Sequence, residues 1–268
     1  MNRSLNKLFS FIGNNDHYYS EEELFSFTEN KTHAVLYGQA DIDFINAYFS
    51  GGFDKSLLNA AMRGIFDLSF KTFDIILHAW LSELPVEREI INTGRKIGAI
   101  LNNKGSIEKK RLEAEREMVN RLDENIQTVL KASAKVYYEI HRMMGLLRFT
   151  PNAEGEFIAE CEPDHFILPA LGEYFSSRFG ETAWSIIDKK RNINLRRPKN
   201  EKIRTCRLND ERLKLNLPQR TGGKNSDKWE ELWKHYHMTI NNEDRRNPDL
   251  QRQLMPKRYW KYLPEKSE

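Results

Sequence analysis

The sequence predicts an α+β fold with a mainly helical N-terminal half, a small antiparallel sheet and a basic helical C-terminal segment. Apolar residues recur at helical spacing through the first half, short apolar runs follow residue 145, and the last third is rich in Lys and Arg. We expect three parts: a peripheral or poorly ordered segment at 1–30, a helical and small-sheet domain at 31–200, and a basic segment at 201–268. The basic segment would pack on that domain or extend from it.

The first half of the chain carries a series of helix signals. Residues 1–30 are polar, and residues 33–37 have the composition of a short strand. Helices are predicted at 41–49, 57–66, 71–84 and 87–101, where apolar residues recur every three or four positions. Gly51 and Gly52 close the first of these helices, and Pro85 separates the last two.

Residues 107–144 have the most regular helical pattern. Two series of residues spaced by seven interleave at offsets of three and four, so they share one face. The members are Leu112, Val119, Ile126, Ser133 and Ile140, with Leu122, Val129, Val136 and Met143. Charged residues lie mostly off this face. The pattern predicts an amphipathic core helix that is broken once near Asn125, rather than a coiled coil.

After Gly145 the pattern changes to short strands and one further helix. A hairpin is predicted from 146–150 and 156–161, a helix at 167–179, and a second strand pair at 184–187 and 193–197. Residues 198–226 have the composition of a basic linker with a short helix. Residues 229–238 are predicted to be helical, with Trp229, Leu232, Trp233 and Tyr236 on one face, and 245–263 to be loop and short helix.

Composition and missing motifs exclude several classes. Of the 268 residues, 39% are hydrophobic, and no run reaches the ~18 apolar residues that span a bilayer. The N-terminus has no secretory signal pattern, so Cys161 and Cys206 are expected to be free thiols in a cytoplasmic protein without membrane contact. The sequence contains no P-loop, dinucleotide fingerprint, GxSxG, HExxH or clustered cysteines. We therefore expect no metal and no cofactor.

The charge is distributed unevenly along the chain. Residues 189–268 contain 22 Lys and Arg against 11 Asp and Glu, whereas residues 1–188 contain 20 against 28. A basic region of this kind suits the phosphate backbone of a nucleic acid. It equally suits docking onto the protein's own acidic half.

Two short polar groups are candidates for proton transfer: Glu139 with His141, and Asp164 with His165. His exchanges protons near neutral pH, and a neighbouring carboxylate can orient it. Structural alternatives remain open, because Glu139 could organise an ion-pair network and Asp164 could cap the following helix.

Candidate nucleic-acid contacts combine cations with aromatic rings. Arginine and lysine bind phosphate, and aromatic rings stack on bases. The candidates are Arg142, Arg148, Arg178, Lys190, Arg191, Arg245, Lys257, Arg258, Tyr259 and Trp260. Residues 188–191 could equally form only a charged turn, and the C-terminal aromatics could anchor the tail on its own domain.

Several blocks of residues resemble one uncharacterised family, described as a probable DNA metabolism protein. They are Glu139, His141, Arg142, Met143, Gly145, Arg148 and Phe149; Glu162 to His165; Phe175, Arg178 and Phe179; Trp184, Asp188 and Arg191; Trp233 and Tyr236; Asn247, Pro248 and Gln251; and Met255 to Trp260. The resemblance covers residues 56–265. In some members this domain looks like a fusion partner of uracil-DNA glycosylase, and in others it is paired with a radical S-adenosylmethionine protein.

The resemblance implies a role in DNA repair without specifying a reaction. Together with the charge, it favours an accessory protein that binds DNA through its basic C-terminal third and works with one of these enzymes. Two alternatives stay open. One is a nucleic-acid-processing enzyme with a His/Asp/Arg site, and the other is a protein-binding scaffold without DNA contact.

Overall fold

The computed structural model describes residues 2–13, 36–152, 154–208, 228–242 and 245–266. The chain divides into two units. The first comprises residues 1–139 with 164–167, and the second comprises 140–163 with 168–268. Helices dominate the N-terminal half and a small sheet follows, so the predicted α+β class is confirmed. Among the described residues, no helix is both long and apolar enough to cross a bilayer.

The first unit is built from helices and a short parallel strand pair, β1 (Asn2–Arg3) with β2 (Leu36–Tyr37). Its helices are α1 (Leu5–Gly13), α2 (Gln39–Phe49), α3 (Ala60–Leu68), α4 (Phe70–Leu81), α5 (Glu87–Leu101), α6 (Ile107–Met118) and the first part of α7 (Glu124–Leu146). The helices predicted at 41–49, 57–66, 71–84 and 87–101 are confirmed as α2 to α5. Side chains of Asn59, Ser69 and Ser106 cap α3, α4 and α6, which fixes where these helices begin.

Helix α1 differs from the peripheral segment expected at 1–30. Its apolar side chains recur at positions 5, 8, 9 and 12, and all four are buried. The buried carboxylate of Asp41 accepts hydrogen bonds from the backbone N–H groups of Leu5, at 2.9 Å, and of Gly38, at 3.2 Å. The chain start is thereby tied to α2. Residues 14–35, including most of the strand predicted at 33–37, lie outside the described residues.

The long helix predicted at 107–144 forms as two helices, α6 and α7, with the break at 119–123, close to the expected position. The predicted buried stripe is confirmed along α7, where Ile126, Val129 and Val136 are fully buried. It is wrong before and within the break, where Leu112, Val119 and Leu122 are exposed. A regular apolar spacing specifies a shared face, but it does not specify that another element covers that face. Helix α7 carries the chain from the first unit into the second.

The second unit is a five-stranded sheet with helices. Its strands are β3 (Thr150–Pro151), β4 (Phe157–Cys161), β5 (Trp184–Asp188), β6 (Ile193–Arg197) and β7 (Arg204–Arg207), in spatial order β3-β4-β5-β6-β7. Helix α8 (Gly172–Phe179) packs on the sheet, with the ring of Phe175 6.2 Å from that of Trp184. Helices α9 (Lys228–Ile240) and α10 (Pro248–Leu254) and a 3-10 helix (Lys257–Tyr262) complete the described part.

Two features of the sheet differ from the sequence prediction. The hairpins β3–β4 and β5–β6 are confirmed, but β4 and β5 run parallel, so the sheet is mixed rather than antiparallel. Their connection contains α8, and such a crossover can return the chain in the same direction. Strand β7 lies where a linker was expected. The strand was missed because its residues are mostly basic and only Thr205 is buried, so the sequence shows no apolar alternation there. Residues 209–227 of that linker lie outside the described residues.

Candidate nucleic-acid interface

Helix α9 presents an exposed aromatic face. Leu232, Trp233, Tyr236 and Ile240 follow one another at intervals that place them on one side of the helix, and we call them the aromatic face. Trp233 is 38% exposed and Tyr236 is 52% exposed, and their ring centroids are 5.8 Å apart with a tilt of 37°. The sequence placed Leu232, Trp233 and Tyr236 on one face together with Trp229, but only the structure shows that these first three side chains are exposed.

Trp233 is held by a buried ion pair. The guanidinium of Arg148 lies 5.1 Å from the centroid of the Trp233 ring, and its Nη2 donates to Oε1 of Glu265 at 2.6 Å. Burial is the largest influence on the pKa of Glu265 and raises it, but the hydrogen bond and charge of Arg148, together with hydrogen bonds from backbone and from the Trp233 side chain, bring the pKa below its usual value. Arg148 also donates to the backbone carbonyl of Gly145 at 2.8 Å. Arg148 therefore orients a ring and neutralises a carboxylate, while its side chain remains 21% exposed.

The two residues of the C-terminal 3-10 helix that were predicted to stack on bases, Tyr259 and Trp260, differ in their exposure to solvent. Tyr259 is buried, with the guanidinium of Arg258 4.6 Å from its ring centroid. Its ring anchors the segment, and we leave it out of the interface. Trp260 is partly exposed and donates from Nε1 to the carbonyl of Met255 at 2.9 Å. The ammonium groups of Lys257 and Lys266 lie 5.9 and 5.3 Å from its ring centroid.

Some cations of the second unit have carboxylate partners and others do not. Paired with carboxylates are Arg148, Lys189, Arg191, Arg196, Arg204, Arg252 and Lys261. Exposed and without a carboxylate partner among the described residues are Arg178, Lys199, Lys202, Arg245 and Lys257. We call this second set the unpaired cations. Arg142 donates from Nε to the carbonyl oxygen of Leu254 at 3.1 Å. Because a carbonyl group is neutral, this hydrogen bond does not cancel the positive charge of Arg142.

The predicted phosphate ligand Arg191 is buried in an ion pair. Its Nη1 lies 2.5 Å from Oδ2 of Asp188, and both side chains are almost fully inaccessible to solvent. Oδ1 of Asp188 accepts the backbone N–H of Lys190 at 2.9 Å, which builds the turn between β5 and β6. Burial raises the pKa of Asp188, and Arg191 opposes that rise. This corresponds to the charged-turn alternative for Arg191, whereas Lys190 has an exposed side chain.

The structure brings together three of the four candidate proton-transfer residues. In the first unit, Oε1 and Oε2 of Glu139 each accept a backbone N–H at 2.8 Å, one from Asp164 and one from His165. Nδ1 of His165 contacts the carbonyl oxygen of Ser82. Glu139 is buried, and both its oxygens hold the backbone of 164–167 in place. These contacts suit a structural role, because the carboxylate is buried and each of its oxygens accepts a backbone N–H. His141 is exposed and belongs to the second unit.

The family assignment rests on a sequence match. The family model for a domain of unknown function, DUF4130, matches residues 100–265. The chain belongs to the DUF4130 family. This confirms the expectation of an uncharacterised domain family. Neither a curated protein nor a solved structure matches the chain.

The DUF4130 match contains every candidate site residue named from the sequence. It also contains the aromatic face, the unpaired cations and Glu265 at its last position. Helices α1 to α4 lie outside it. The candidate interface is therefore a feature of the DUF4130 region of the chain.

Proposed function

We propose that this protein is a DNA-metabolism or DNA-repair accessory protein that binds nucleic acid through its basic C-terminal third, residues 189–268. The observation that carries the proposal is the set of unpaired cations together with the exposed aromatic face. Phosphate groups would be held by the cations, and Trp233, Tyr236 and Trp260 would supply aromatic surface. One unpaired cation is shown beside one of these rings: the ammonium group of Lys257 lies 5.9 Å from the ring centroid of Trp260. Lys190 and Arg258 have exposed side chains and stay among the candidate phosphate contacts.

Phosphate binding by this region depends on positive charge that is not already neutralised by a carboxylate. A cation with a carboxylate partner gains little from a phosphate, because the ion pair must first be broken. The unpaired cations have no such cost, and binding them to phosphates releases condensed counterions into solution. Four of the five lie in residues 189–268, the region with the large positive balance.

A partner enzyme would carry out the chemistry. The support is the resemblance to the family whose domain is joined to uracil-DNA glycosylase or paired with a radical S-adenosylmethionine protein. The contacts of Glu139 fit this view, because they hold backbone rather than face an exposed cleft. Within the proposal, this chain contributes binding and the partner contributes the reaction.

Fluorescence anisotropy with labelled single- and double-stranded DNA tests the binding step. If about five phosphates are contacted, affinity should fall about 500-fold between 50 and 200 mM salt. The variant R245Q/K257Q should bind more weakly, and its slope of log affinity against log salt should be shallower by about 2.

The matched control is K55Q/R111Q, which removes two charges from the first unit. Both of those side chains have carboxylate partners, Asp67 and Glu115. The control should retain the affinity and the salt slope. Absence of binding at low salt would refute the proposal and would favour the protein-binding scaffold.

A further inference from the structure

The aromatic face exposes rings that could stack on nucleic-acid bases, but the bases of a duplex are not accessible for such stacking. Trp233 and Tyr236 expose large ring surfaces close to one another, with Leu232 and Ile240 on either side along the helix. In a duplex the faces of the bases are already stacked on their neighbours, so exposed protein rings find no partner there. Every unpaired base, whatever its identity, exposes a π-face, and stacking of one base on an aromatic ring strengthens binding by roughly 5- to 150-fold.

Trp233 is also preorganised for such a contact. Arg148 lies against its ring, and Arg148 is itself fixed by Glu265 and by the carbonyl of Gly145. A ring that is already fixed loses little conformational entropy when a base stacks on it. An arginine beside an aromatic platform can also contact a phosphate or a base plane.

A cation lies directly against the aromatic face, because the guanidinium of Arg148 is 5.1 Å from the ring centroid of Trp233. The carboxylate that contacts this cluster, Glu265, is 2% exposed and is neutralised by Arg148. The unpaired cations Arg245 and Lys257 belong to the same unit as α9, and residues 189–268 hold 22 Lys and Arg against 11 Asp and Glu. Apolar rings and cations thus occur together, as in sites for single strands.

We infer that the aromatic face of α9 is a stacking platform for the unpaired bases of single-stranded nucleic acid. The inference rests on the proposed function and deepens it by naming the form of the ligand. At least one base would stack on Trp233 and Tyr236, while the unpaired cations hold the flanking phosphates. Binding to duplex DNA would then depend on the cations alone.

The test compares three ligands of equal length: a 12-mer of thymidine, the same backbone with abasic sugars, and a 12-base-pair duplex. A 12-mer of uridine is added to distinguish DNA from RNA. The full-length protein should bind the thymidine strand at least about 10-fold more tightly than the abasic strand, since 1.4 kcal/mol corresponds to tenfold. Preference for the uridine strand over its abasic counterpart would equally support stacking and would identify RNA as a ligand.

The variants W233A and Y236A should each reduce this base-dependent preference, and the double variant should remove it. The affinity for the abasic strand and its salt dependence should remain. Met238 is the matched control, because it is exposed on the opposite side of α9 and M238A also removes an apolar side chain. Y236A keeps the test valid if W233A disturbs packing, since Tyr236 is not part of the Arg148–Glu265 contact.

The outcomes separate this inference from the function on which it rests. Binding that is equal for thymidine, abasic and duplex ligands, and unchanged in the double variant, overturns the stacking platform and leaves the aromatic face to a protein partner. Nucleic-acid binding through the cations would survive that result. Failure of every ligand to bind at low salt would overturn both.

Discussion

The ion pair between Arg148 and Glu265 supports the candidate interface, so its removal has measurable consequences. In E265Q the shape is kept, but the charge that balances Arg148 is lost. Glu265 is 2% exposed and its Oε1 lies 2.6 Å from Nη2 of Arg148. Breaking a buried pair costs ~3–5 kcal/mol. Arg148 is partly exposed and glutamine still accepts one hydrogen bond, so we expect a loss of about 2 kcal/mol in the free energy of unfolding at pH 7.

The pH dependence of that loss follows from the lowered pKa of Glu265. A carboxyl group whose pKa is lower in the folded than in the unfolded state stabilises the fold above the unfolded pKa, which is ~4.3 for glutamate. Its contribution disappears as the pH falls through the folded-state pKa. The difference between wild type and E265Q should therefore be complete above about pH 5 and should shrink progressively below about pH 4.

Urea unfolding followed by tryptophan fluorescence, at several pH values between 7 and 3, measures this difference. E181Q is the control, because Glu181 is an exposed carboxylate in the same unit, and it should change stability by less than ~0.5 kcal/mol. A difference between wild type and E265Q that stays constant down to pH 3 would contradict the assigned ion pair. So would equal stability of the two proteins at pH 7.

Two further predictions concern packing in the first unit, and both are measured by urea unfolding. In α5, a Cβ at Gly94 would lie 2.8–2.9 Å from three side-chain carbons of Ile12, whereas one at Gly98 would meet nothing within 4 Å. G94A should therefore destabilise by ~1–3 kcal/mol and G98A should stabilise by ~0.5–1 kcal/mol; equal effects would contradict the close packing of α1 on α5. Ile126 is fully buried and Leu122 is exposed, so I126A should cost ~2–4 kcal/mol and L122A less than ~0.5 kcal/mol, although the sequence places both on one apolar face. Similar losses in the two variants would show that the series continues as a buried stripe.

Sequence patterns were sufficient to predict those helices and strand pairs that depend mainly on residues close together in the chain. Helices α2 to α5 follow apolar periodicity and begin or end at capping residues, Gly or Pro, all of which are visible along the chain. The strand pairs around residues 150 and 190 were predicted for the same reason. Helix α1 carries a comparable spacing at positions 5, 8, 9 and 12, within a segment whose overall polarity obscured it.

The candidate site depended more on contacts between distant residues. Arg178 and Arg191 were equivalent in sequence, but one is exposed and the other is buried against Asp188. Tyr259 was a candidate either for stacking on bases or for anchoring the tail, and it is buried. Trp233 was predicted only to share a helix face with other apolar residues, and it is partly exposed.

The sequence by itself determined the fold class, most of the helices, the strand pairs and the basic character of the last third. These features depend on apolar periodicity, on the positions of Gly, Pro and capping residues, and on composition, which are local or additive properties of the chain. Only the tertiary structure decided which cations have carboxylate partners and which rings remain open. Arg148 and Glu265, for example, are 117 residues apart in the chain. Burial and ion pairing at such separations depend on how elements pack, and that information is not contained in any single segment.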